Sequence, residues 1–401
     1  MPDAFIFDAV RTPRGIGKSS GGLYTVRPVD LLVTVLRALK ERNGFNTQEV
    51  EEIIIGCVAQ TGEQGTCISR FASLEAGYHY ETPSYTVNRF CASALETVNQ
   101  AAARVAAGWS DLLIAGGVES MSRVKMGSDV GAMFDPAAQW RVGSVPQGIS
   151  ADLLATLRGF TRADVDAFAL ESQRRAVAAR GTGKFDRSVV PVKDEQGLTI
   201  LARDEMPRPD ASLEKLATLK PAFDMLGKQF GLDALVRRKY PQVDRVDHVH
   251  TAGNSSGIVD GASGVLIGST EKGKALGLKP RARIRTGVST GEEPVIMLTG
   301  PLSATRVALK KARMELKDID CFEVNEAFAA VPLMYMQELG VPHEKLNMNG
   351  GAIALGHPLG ATGAVILGTA VDLLEERNLS TALITLCIGG GMGTATIIER
   401  V

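Results

Sequence analysis

Short apolar runs alternate along the chain with longer segments whose apolar residues recur every three or four positions. Short runs rich in β-branched residues predict buried strands; they cover residues 4–10, 53–58, 112–115 and 382–388. The periodic segments predict amphipathic helices; they cover residues 29–42, 92–108, 161–180, 304–316 and 364–377. Strands that alternate with helices indicate an α/β fold whose sheets are covered by helices.

The two ends of the chain repeat one order of elements. At the front, a helix leads to a strand, a turn that carries Cys91, a long helix, a strand and the pair Gly116-Gly117. At the back, a helix leads to a strand at 322–324, a turn that carries His357, a helix, a strand and the glycines 389–391. A repeated unit predicts two similar halves. The alternative is that the two orders match by chance, since strands and helices alternate in every α/β chain.

Residues 121–250 break this rhythm. Thr161 and Asp164 form a helix-capping pattern, but most of the segment is charged and interrupted by prolines at 191, 207, 209, 221 and 241. The stretch 230–250 is polar and rich in Arg and Asp, which is typical of a solvated loop or helix. We therefore expect an irregular insertion between the two halves.

Charge and composition exclude several classes of partner. Lys and Arg number 44 and Asp and Glu 45, so the net charge is −1, which argues against a nucleic-acid surface because such a surface is basic. The N-terminus lacks the features of a secretory signal, and no stretch reaches the ~18 apolar residues of a membrane span. The five cysteines form no C-x-x-C pair. We therefore expect a cytoplasmic protein with no disulfide framework and no metal.

Cys91 is a candidate nucleophile because of its place in the chain. It follows a predicted strand at 84–87 and precedes the helix at 92–108. Unpaired N–H groups and the positive end of a helix dipole stabilise a thiolate, so this position predicts a reactive thiol. A free cysteine that only fills space is the commoner case, and Cys91 alone does not decide between them.

Two glycine-rich segments near the C-terminus each carry one reactive side chain. His357 lies on a turn before a helix in NMNGGAIALGHPLGATG, residues 347–363, and is a candidate for acid–base work. Cys387 ends a strand in CIGGGMG, residues 387–393. This second segment is not a dinucleotide loop, because Thr394 or Thr396 stands where a third glycine is required.

The strand at 322–324 leads directly into Asn325, which gives a further polar side chain at a strand end. Two thiols and one imidazole on such turns are the groups that acyl transfer through a thioester needs. One thiolate attacks, a base activates it, a second acid–base group handles the other proton, and backbone N–H groups hold the oxyanion.

At this point the chain resembles the thiolase family, and five motifs in the family's order carry the resemblance. They are VNRFCAS at 87–93, GGVESMS at 116–122, NEAF at 325–328, GHP at 356–358 and CIGGG at 387–391. The resemblance implies a thiolase fold with two similar five-layered α/β/α/β/α halves and an inserted loop domain. Residues 1–120 with 251–275 would form the N-terminal half, 121–250 the loop domain and 276–401 the C-terminal half.

The resemblance also implies catalytic roles. Cys91 would carry the acyl group, and His357 would deprotonate it and help to bind the thioester oxygen. Cys387 would move the proton at the substrate's C2 carbon. Asn325 would hold a water in a first oxyanion hole, and the backbone N–H groups of Cys91 and Gly389 would form a second.

Three further positions match the family's contacts with its substrate. Ser256 would lie beside the pantetheine, Met297 in the acyl pocket and Phe223 near the CoA tail. The chain departs from the family pattern elsewhere: Pro146-Gln147 replaces a common His-Met, and extra residues occupy about 225–247. In addition, Ala94 replaces a common Gly and Met392 a common Gln. These departures leave the acyl-length preference open.

The implied reaction is CoA-dependent cleavage of a 3-ketoacyl-CoA, with acyl-CoA and CoA as substrates and no bound cofactor. A biosynthetic thiolase specific for acetoacetyl-CoA is the alternative. A decarboxylating ketoacyl synthase is more remote, because Asn325 stands where such enzymes have a second His and Cys387 is additional. A non-catalytic CoA-binding protein is a further alternative. The resemblance also implies a homodimer or homotetramer and association with β-oxidation enzymes.

Overall fold

The computed structural model describes residues 3–401, which form twelve β-strands and fourteen α-helices. The strands are β1 (Ala4–Arg11), β2 (Gly15–Ile16), β3 (Glu52–Gly56), β4 (Ser84–Val87), β5 (Leu112–Ser120), β6 (Val192–Lys193), β7 (Thr199–Leu201), β8 (Val259–Gly268), β9 (Ala282–Gly291), β10 (Cys321–Val324), β11 (Thr381–Ile388) and β12 (Met392–Arg400).

The helices include every one that the apolar periodicity predicts, with ends shifted by a few residues. They are α1 (Pro28–Asn43), α2 (Ile68–Glu75), α3 (Ser93–Ala106), α4 (Pro136–Val142), α5 (Gln147–Arg158), α6 (Arg162–Gly181), α7 (Leu213–Ala217), α8 (Asp224–Lys228), α9 (Leu232–Lys239), α10 (Thr270–Ala275), α11 (Gly300–Ala312), α12 (Ala330–Leu339), α13 (Ala352–Leu355) and α14 (Thr362–Glu376).

Nine strands form one hydrogen-bonded path in the order β10-β11-β12-β9-β1-β8-β5-β3-β4, and β2 pairs with β8 beside it. The path consists of two half-sheets that join through β1 and β9. In the first half-sheet β3 and β5 are parallel, and β8 and β1 follow antiparallel. In the second, β10 and β11 are parallel, and β12 and β9 follow antiparallel. This shared pairing pattern confirms the two similar halves predicted from the repeat.

Helices lie on both faces of each half-sheet and make five layers. Helices α3 and α14 pack against each other between the half-sheets, and their buried side chains share one core with strand residues such as Ile54 and Ile384. Helices α1 and α2 cover the outer face of the first half-sheet, and α11 and α12 that of the second. The α/β/α/β/α expectation is therefore confirmed.

Strand β5 is longer than its apolar run predicts, and the expectation that Gly116 and Gly117 follow the strand is wrong. Both glycines lie inside β5. A Cβ atom at Gly117 would lie 1.9 Å from the carbonyl oxygen of Gly360. The glycines therefore serve the close approach of another backbone segment rather than a turn.

The segment between the halves is more ordered than its composition suggests. It contains α4 to α9 and the two-stranded sheet β6-β7, and the Thr161–Asp164 capping box begins α6 as predicted. The stretch 230–250 is not simply solvated, because Leu235 and Val236 are buried in the core. The domain boundaries given above stay a prediction.

Two histidines of this stretch attach it to α5 through buried contacts with carboxylates. His248 lies 2.7 Å from Asp152 and 3.2 Å from Asp233, and His250 lies 2.8 Å from the other oxygen of Asp152. Burial opposes ionisation of His248, but the two carboxylates outweigh it and raise the pKa of the imidazole. Charged His248 thus stabilises the packing of α9 on α5.

We expect His248→Gln to change the pH dependence of stability. Because the folded-state pKa of His248 is raised, its stabilising contribution is fully present below the unfolded value of about 6.5 and is lost as the pH rises through the folded-state pKa. The Tm difference between wild type and variant should therefore be largest at mildly acidic pH and shrink at alkaline pH. Thermal unfolding across pH measures it, with His79→Gln as control. A difference that grows with pH would contradict the assignment.

Candidate active site

Cys91 lies in the turn between β4 and α3, and side chains of the turn hold its backbone. Asn88 accepts a hydrogen bond from the N–H of Phe90 at 2.8 Å. Ser93 accepts one from the N–H of Arg89 at 2.9 Å and donates one to the carbonyl of Phe90 at 2.7 Å. Phe90 has a φ of 45°, in the left-handed region that bulky residues rarely adopt. Such a conformation persists only when its surroundings enforce it.

The thiol of Cys91 is only 4% exposed. Burial raises its pKa to about 11, against the opposing effect of the Gln147 side-chain amide and the backbone N–H groups of Cys91 and Gly389. The expectation that the helix start yields a thiolate is therefore wrong for the free protein, because burial outweighs the N–H groups around the sulfur.

Cys387 lies one residue before the end of β11 and is fully buried. Burial first, and then the nearby charge of an ionised Cys91, raise the pKa of the Cys387 thiol. The two sulfurs are thus near enough to interact, and both are protonated at neutral pH. A buried thiol of this kind can exchange a proton with a bound molecule rather than with water.

The loop that carries His357 runs against the start of α3 at positions where only glycine leaves room. A Cβ atom at Gly56 would lie 2.6 Å from the carbonyl carbon of Ser93 and 2.8 Å from the carbonyl oxygen of Gly360. Gly56, at the end of β3, therefore lies between the start of α3 and the His357 loop, in a gap too narrow for any side chain. This contact puts the His357 loop beside the Cys91 turn.

The hydrogen bonds of His357 define its tautomer. Nδ1 lies 2.5 Å from the hydroxyl of Thr362, which in turn donates to the carbonyl of Pro358 at 2.9 Å. Because a hydroxyl has one proton, Thr362 accepts from Nδ1–H and leaves Nε2 as an acceptor. Burial first, and then the charge of Arg14, lower the pKa of His357 to about 3. The imidazole is therefore neutral, with an unprotonated Nε2.

Asn325 connects His357 with the strand that carries Cys387. Its side-chain Nδ2 lies 3.4 Å from Nε2 of His357. Its backbone N–H donates to the carbonyl of Thr385 in β11 at 3.0 Å, two residues before Cys387. The structure therefore brings all five predicted catalytic positions, including Cys91 and Gly389, into one region.

The three predicted CoA contacts lie in different surroundings. The N–H of Ser256 donates to the carbonyl of Ala327 at 2.9 Å, and the ring of Phe223 meets that of Phe328 edge-on at 5.9 Å. Both therefore lie beside the segment that follows Asn325. Met297 is fully buried in the core between β9 and α11. Their roles as CoA contacts stay a prediction.

Sequence reasoning missed two charged residues that hold the site together. The guanidinium of Arg14 donates to the carbonyl of Gly356, next to His357, at 3.1 Å. The buried carboxylate of Glu119 accepts from the N–H groups of Val58 and Gly360, at 3.0 and 2.9 Å. A lone carboxylate in an otherwise apolar strand was the available signal for Glu119.

Within residues 3–401, no group of three or more His, Cys, Asp or Glu side chains is arranged to hold a metal ion. None of the helices in the described part of the chain is long and apolar enough to cross a membrane.

Comparison with known proteins gives matches over the whole chain. The family model described as Thiolase, N-terminal domain, matches residues 4–231, and that described as Thiolase, C-terminal domain, matches 278–400. A 3-ketoacyl-CoA thiolase of Psychrobacter cryohalolentis is 41% identical over 405 residues, which cover 100% of this chain and 98% of the relative. A 3-ketoacyl-CoA thiolase of Yersinia pestis is 41% identical over 410 residues, with 100% of both chains covered.

A solved structure gives the same result for the fold. The acetyl-CoA acetyltransferase of Bacillus anthracis superposes with a TM-score of 0.86 and 36% sequence identity. The match covers 100% of this chain and 99% of the other.

Proposed function

Since the chain belongs to the thiolase family, we propose that it cleaves 3-ketoacyl-CoA with CoA to give a shortened acyl-CoA and acetyl-CoA. The reverse reaction is a Claisen condensation, and the enzyme is an acyltransferase in both directions. The observation that carries this proposal is the buried Cys91 thiol beside a second thiol and a neutral imidazole. Acyl-CoA and CoA are substrates, and the proposed chemistry needs no further cofactor.

In the first half-reaction, the sulfur of Cys91 attacks the C3 carbonyl of the substrate. The S–H bond breaks as the S–C3 bond forms, and the proton passes to Nε2 of His357. The backbone N–H groups of Cys91 and Gly389 hold the oxyanion.

Collapse of this intermediate breaks the C2–C3 bond and leaves an acyl thioester on Cys91. The electron pair goes to C2 as an enolate, whose oxygen is held by His357 and by a water on Asn325. The side-chain Oδ1 of Asn325 supports this role, because it is buried and has no hydrogen-bond partner among the described residues. Cys387 donates the proton to C2, which gives acetyl-CoA.

In the second half-reaction, free CoA takes the acyl group from Cys91. His357 first returns the proton that it took from Cys91 to the Cys387 sulfur. The CoA sulfur then attacks the thioester, its proton passes to Nε2 of His357 and from there to the departing sulfur of Cys91, and the thiol of Cys91 is restored. The backbone N–H groups of Cys91 and Gly389 hold the oxyanion again in this step. Ser256, Phe223 and Met297 are the proposed contacts for the pantetheine, CoA tail and acyl chain.

Mass spectrometry after incubation with acetyl-CoA tests the proposed nucleophile. We expect one acetyl group, on the peptide that contains Cys91, and its removal when free CoA is added. Cys67 provides an internal reference because it is exposed. An acetyl group on Cys67 with none on Cys91 would contradict the proposal.

A thiolase specific for acetoacetyl-CoA is the second candidate, because the structural relative from Bacillus anthracis is an acetyl-CoA acetyltransferase. We favour broad acyl length, since the 41% identical relatives are 3-ketoacyl-CoA thiolases. Initial rates of thiolysis on a series of 3-ketoacyl-CoA lengths decide between the two. Broad specificity gives comparable kcat/KM on longer chains, whereas activity on the four-carbon substrate alone would support the second candidate.

We propose further that the enzyme is a homodimer or homotetramer in the cytoplasm, associated with β-oxidation enzymes. The free edge of β4 and the nearby exposed side chains of Phe71 and Tyr80 support an association through the N-terminal half. Light scattering of the purified protein measures the number of subunits.

A further inference from the structure

Gln147 is a polar side chain at the reacting sulfur that the proposed mechanism does not use. It is the first residue of α5. Its Nε2 lies 3.6 Å from the position that a Cβ atom of Gly389 would occupy. This nitrogen is buried, and no atom of residues 3–401 accepts a hydrogen bond from it. A buried donor without a partner is unfavourable, and an acceptor that forms during the reaction would satisfy it.

The surroundings hold Gln147 in this place. The ring of Phe223 lies directly over Gly148, where a Cβ atom would be 2.2 Å from it. The hydroxyl of Ser150 donates to the carbonyl of Val295 at 2.6 Å, and Asp152 is anchored by its contacts with the imidazoles of His248 and His250. The start of α5 is thus fixed on several sides, and the amide is directed by packing rather than by its own hydrogen bonds.

The acceptor that fits this amide is the sulfur of Cys91. The Cβ position at Gly389, 3.6 Å from the amide nitrogen, is also 3.5 Å from Cγ of Phe90, the residue before Cys91, so the amide and the Cys91 turn border the same space. The amide there favours the ionised thiol, as the backbone N–H groups of Cys91 and Gly389 also do. The neutral thiol is a weak acceptor, whereas a thiolate is a strong one. The hydrogen bond therefore gains strength only as the sulfur becomes negative.

We propose that Gln147 is a positioning residue whose side-chain N–H donates to the sulfur of Cys91 while the sulfur carries negative charge. The proposal rests on the role of Cys91 as nucleophile. The S–H proton still passes to His357, and Gln147 gives up no proton. Its amide joins the backbone N–H groups of Cys91 and Gly389 in stabilising the negative sulfur before the S–C3 bond forms, and it stays with the sulfur when those N–H groups hold the oxyanion. The amide thereby lowers the barrier to attack. At this position, where Pro146-Gln147 replaces a common His-Met, the chain thus has an added donor.

The test is the pH dependence of Cys91 alkylation by iodoacetamide, followed on the Cys91 peptide by mass spectrometry. Gln147→Met removes the donor at similar size, and we expect the midpoint of the profile to rise by about one pH unit, or a tenfold slower alkylation below the midpoint. Gln147→Glu should shift it further, because a carboxylate repels the thiolate. Alkylation of the exposed Cys67 in the same sample serves as an internal reference for the activity of the reagent and for the pH.

Met133→Leu is the matched control, because Met133 Cε also lies 3.6 Å from the Gly389 position but provides no N–H donor. We expect its profile to equal that of the wild type. Unchanged profiles in both Gln147 variants, or an equal shift in Met133→Leu, would overturn the proposal. In thiolysis, Gln147→Met should lower kcat about tenfold with little change in KM. If the wild type showed no thiolysis while the alkylation profiles shifted as expected, the proposed function would fail and the role of Gln147 would stand.

Discussion

Cys91→Ser should lower thiolysis of a 3-ketoacyl-CoA at least about a thousandfold. A hydroxyl is far less acidic than a thiol and a weaker nucleophile, and the neutral His357, with its pKa near 3, is too weak a base to activate it. The substitution keeps the size of a buried side chain and the hydrogen bonds of the turn. We therefore expect the variant to fold, to bind CoA thioesters and to acquire no acetyl group from acetyl-CoA.

A second buried cysteine gives the control for this variant. Cys321 at the start of β10 is as buried as Cys91 and donates weakly to the carbonyl of Thr381. A serine there keeps that hydrogen bond, so Cys321→Ser should retain thiolysis. Initial rates of thiolysis measure the activity of both variants, and circular dichroism shows whether both are folded. Thiolysis by Cys91→Ser within tenfold of the wild type would refute the nucleophile assignment.

Cys387→Ala should separate the two parts of the reaction. Acylation of Cys91 by acetyl-CoA requires no proton transfer at carbon, so the acetyl adduct should still form. Bond making and breaking at C2 need the Cys387 thiol, so thiolysis of acetoacetyl-CoA and condensation should fall at least about a thousandfold. The loss of one buried sulfur leaves a small cavity, which costs about 1–2 kcal/mol of folding free energy.

Exchange of the C2 protons of acetyl-CoA with deuterated water gives the sharper measurement of this role. The wild type should catalyse the exchange, and Cys387→Ala should not, although its Cys91 is acetylated at a normal rate. Cys321→Ala removes a sulfur from the neighbouring strand and should leave both activities in place. Full condensation by Cys387→Ala would show that another group moves the C2 proton.

The secondary structure could be predicted well because its signals are local. The periods of two and about 3.6 residues, the capping box at Thr161 and the turn before α3 depend on neighbours along the chain. The repeat of elements was equally visible, because each half-sheet is built from one order of elements. Two predictions failed. Strand β5 continues through Gly117, because the residue that requires this glycine, Gly360, is distant in sequence. Residues 121–250, predicted to be irregular, contain the six helices α4 to α9.

The sequence predicted which residues belong to the candidate site but not how they are arranged around the sulfur. The motifs around Cys91, Asn325, His357 and Cys387 indicated thioester chemistry before any contact was known. They did not reveal Gln147, because its neighbour at the sulfur, Gly389, is far away in the sequence. Nor did they reveal the ion pairs of His248, because its partners lie in two separate helices.

By itself the sequence determined the main elements of the two halves and the duplicated α/β architecture, since these follow from local pattern. Its five motifs carried the resemblance to the family and identified the residues that could carry chemistry. Only the tertiary structure decided that the Cys91 thiol rests in its protonated form, that the imidazole presents Nε2 as an acceptor and that an amide stands ready beside the sulfur. Burial and hydrogen-bond partners set those states, and both come from segments that meet only when the two halves fold together.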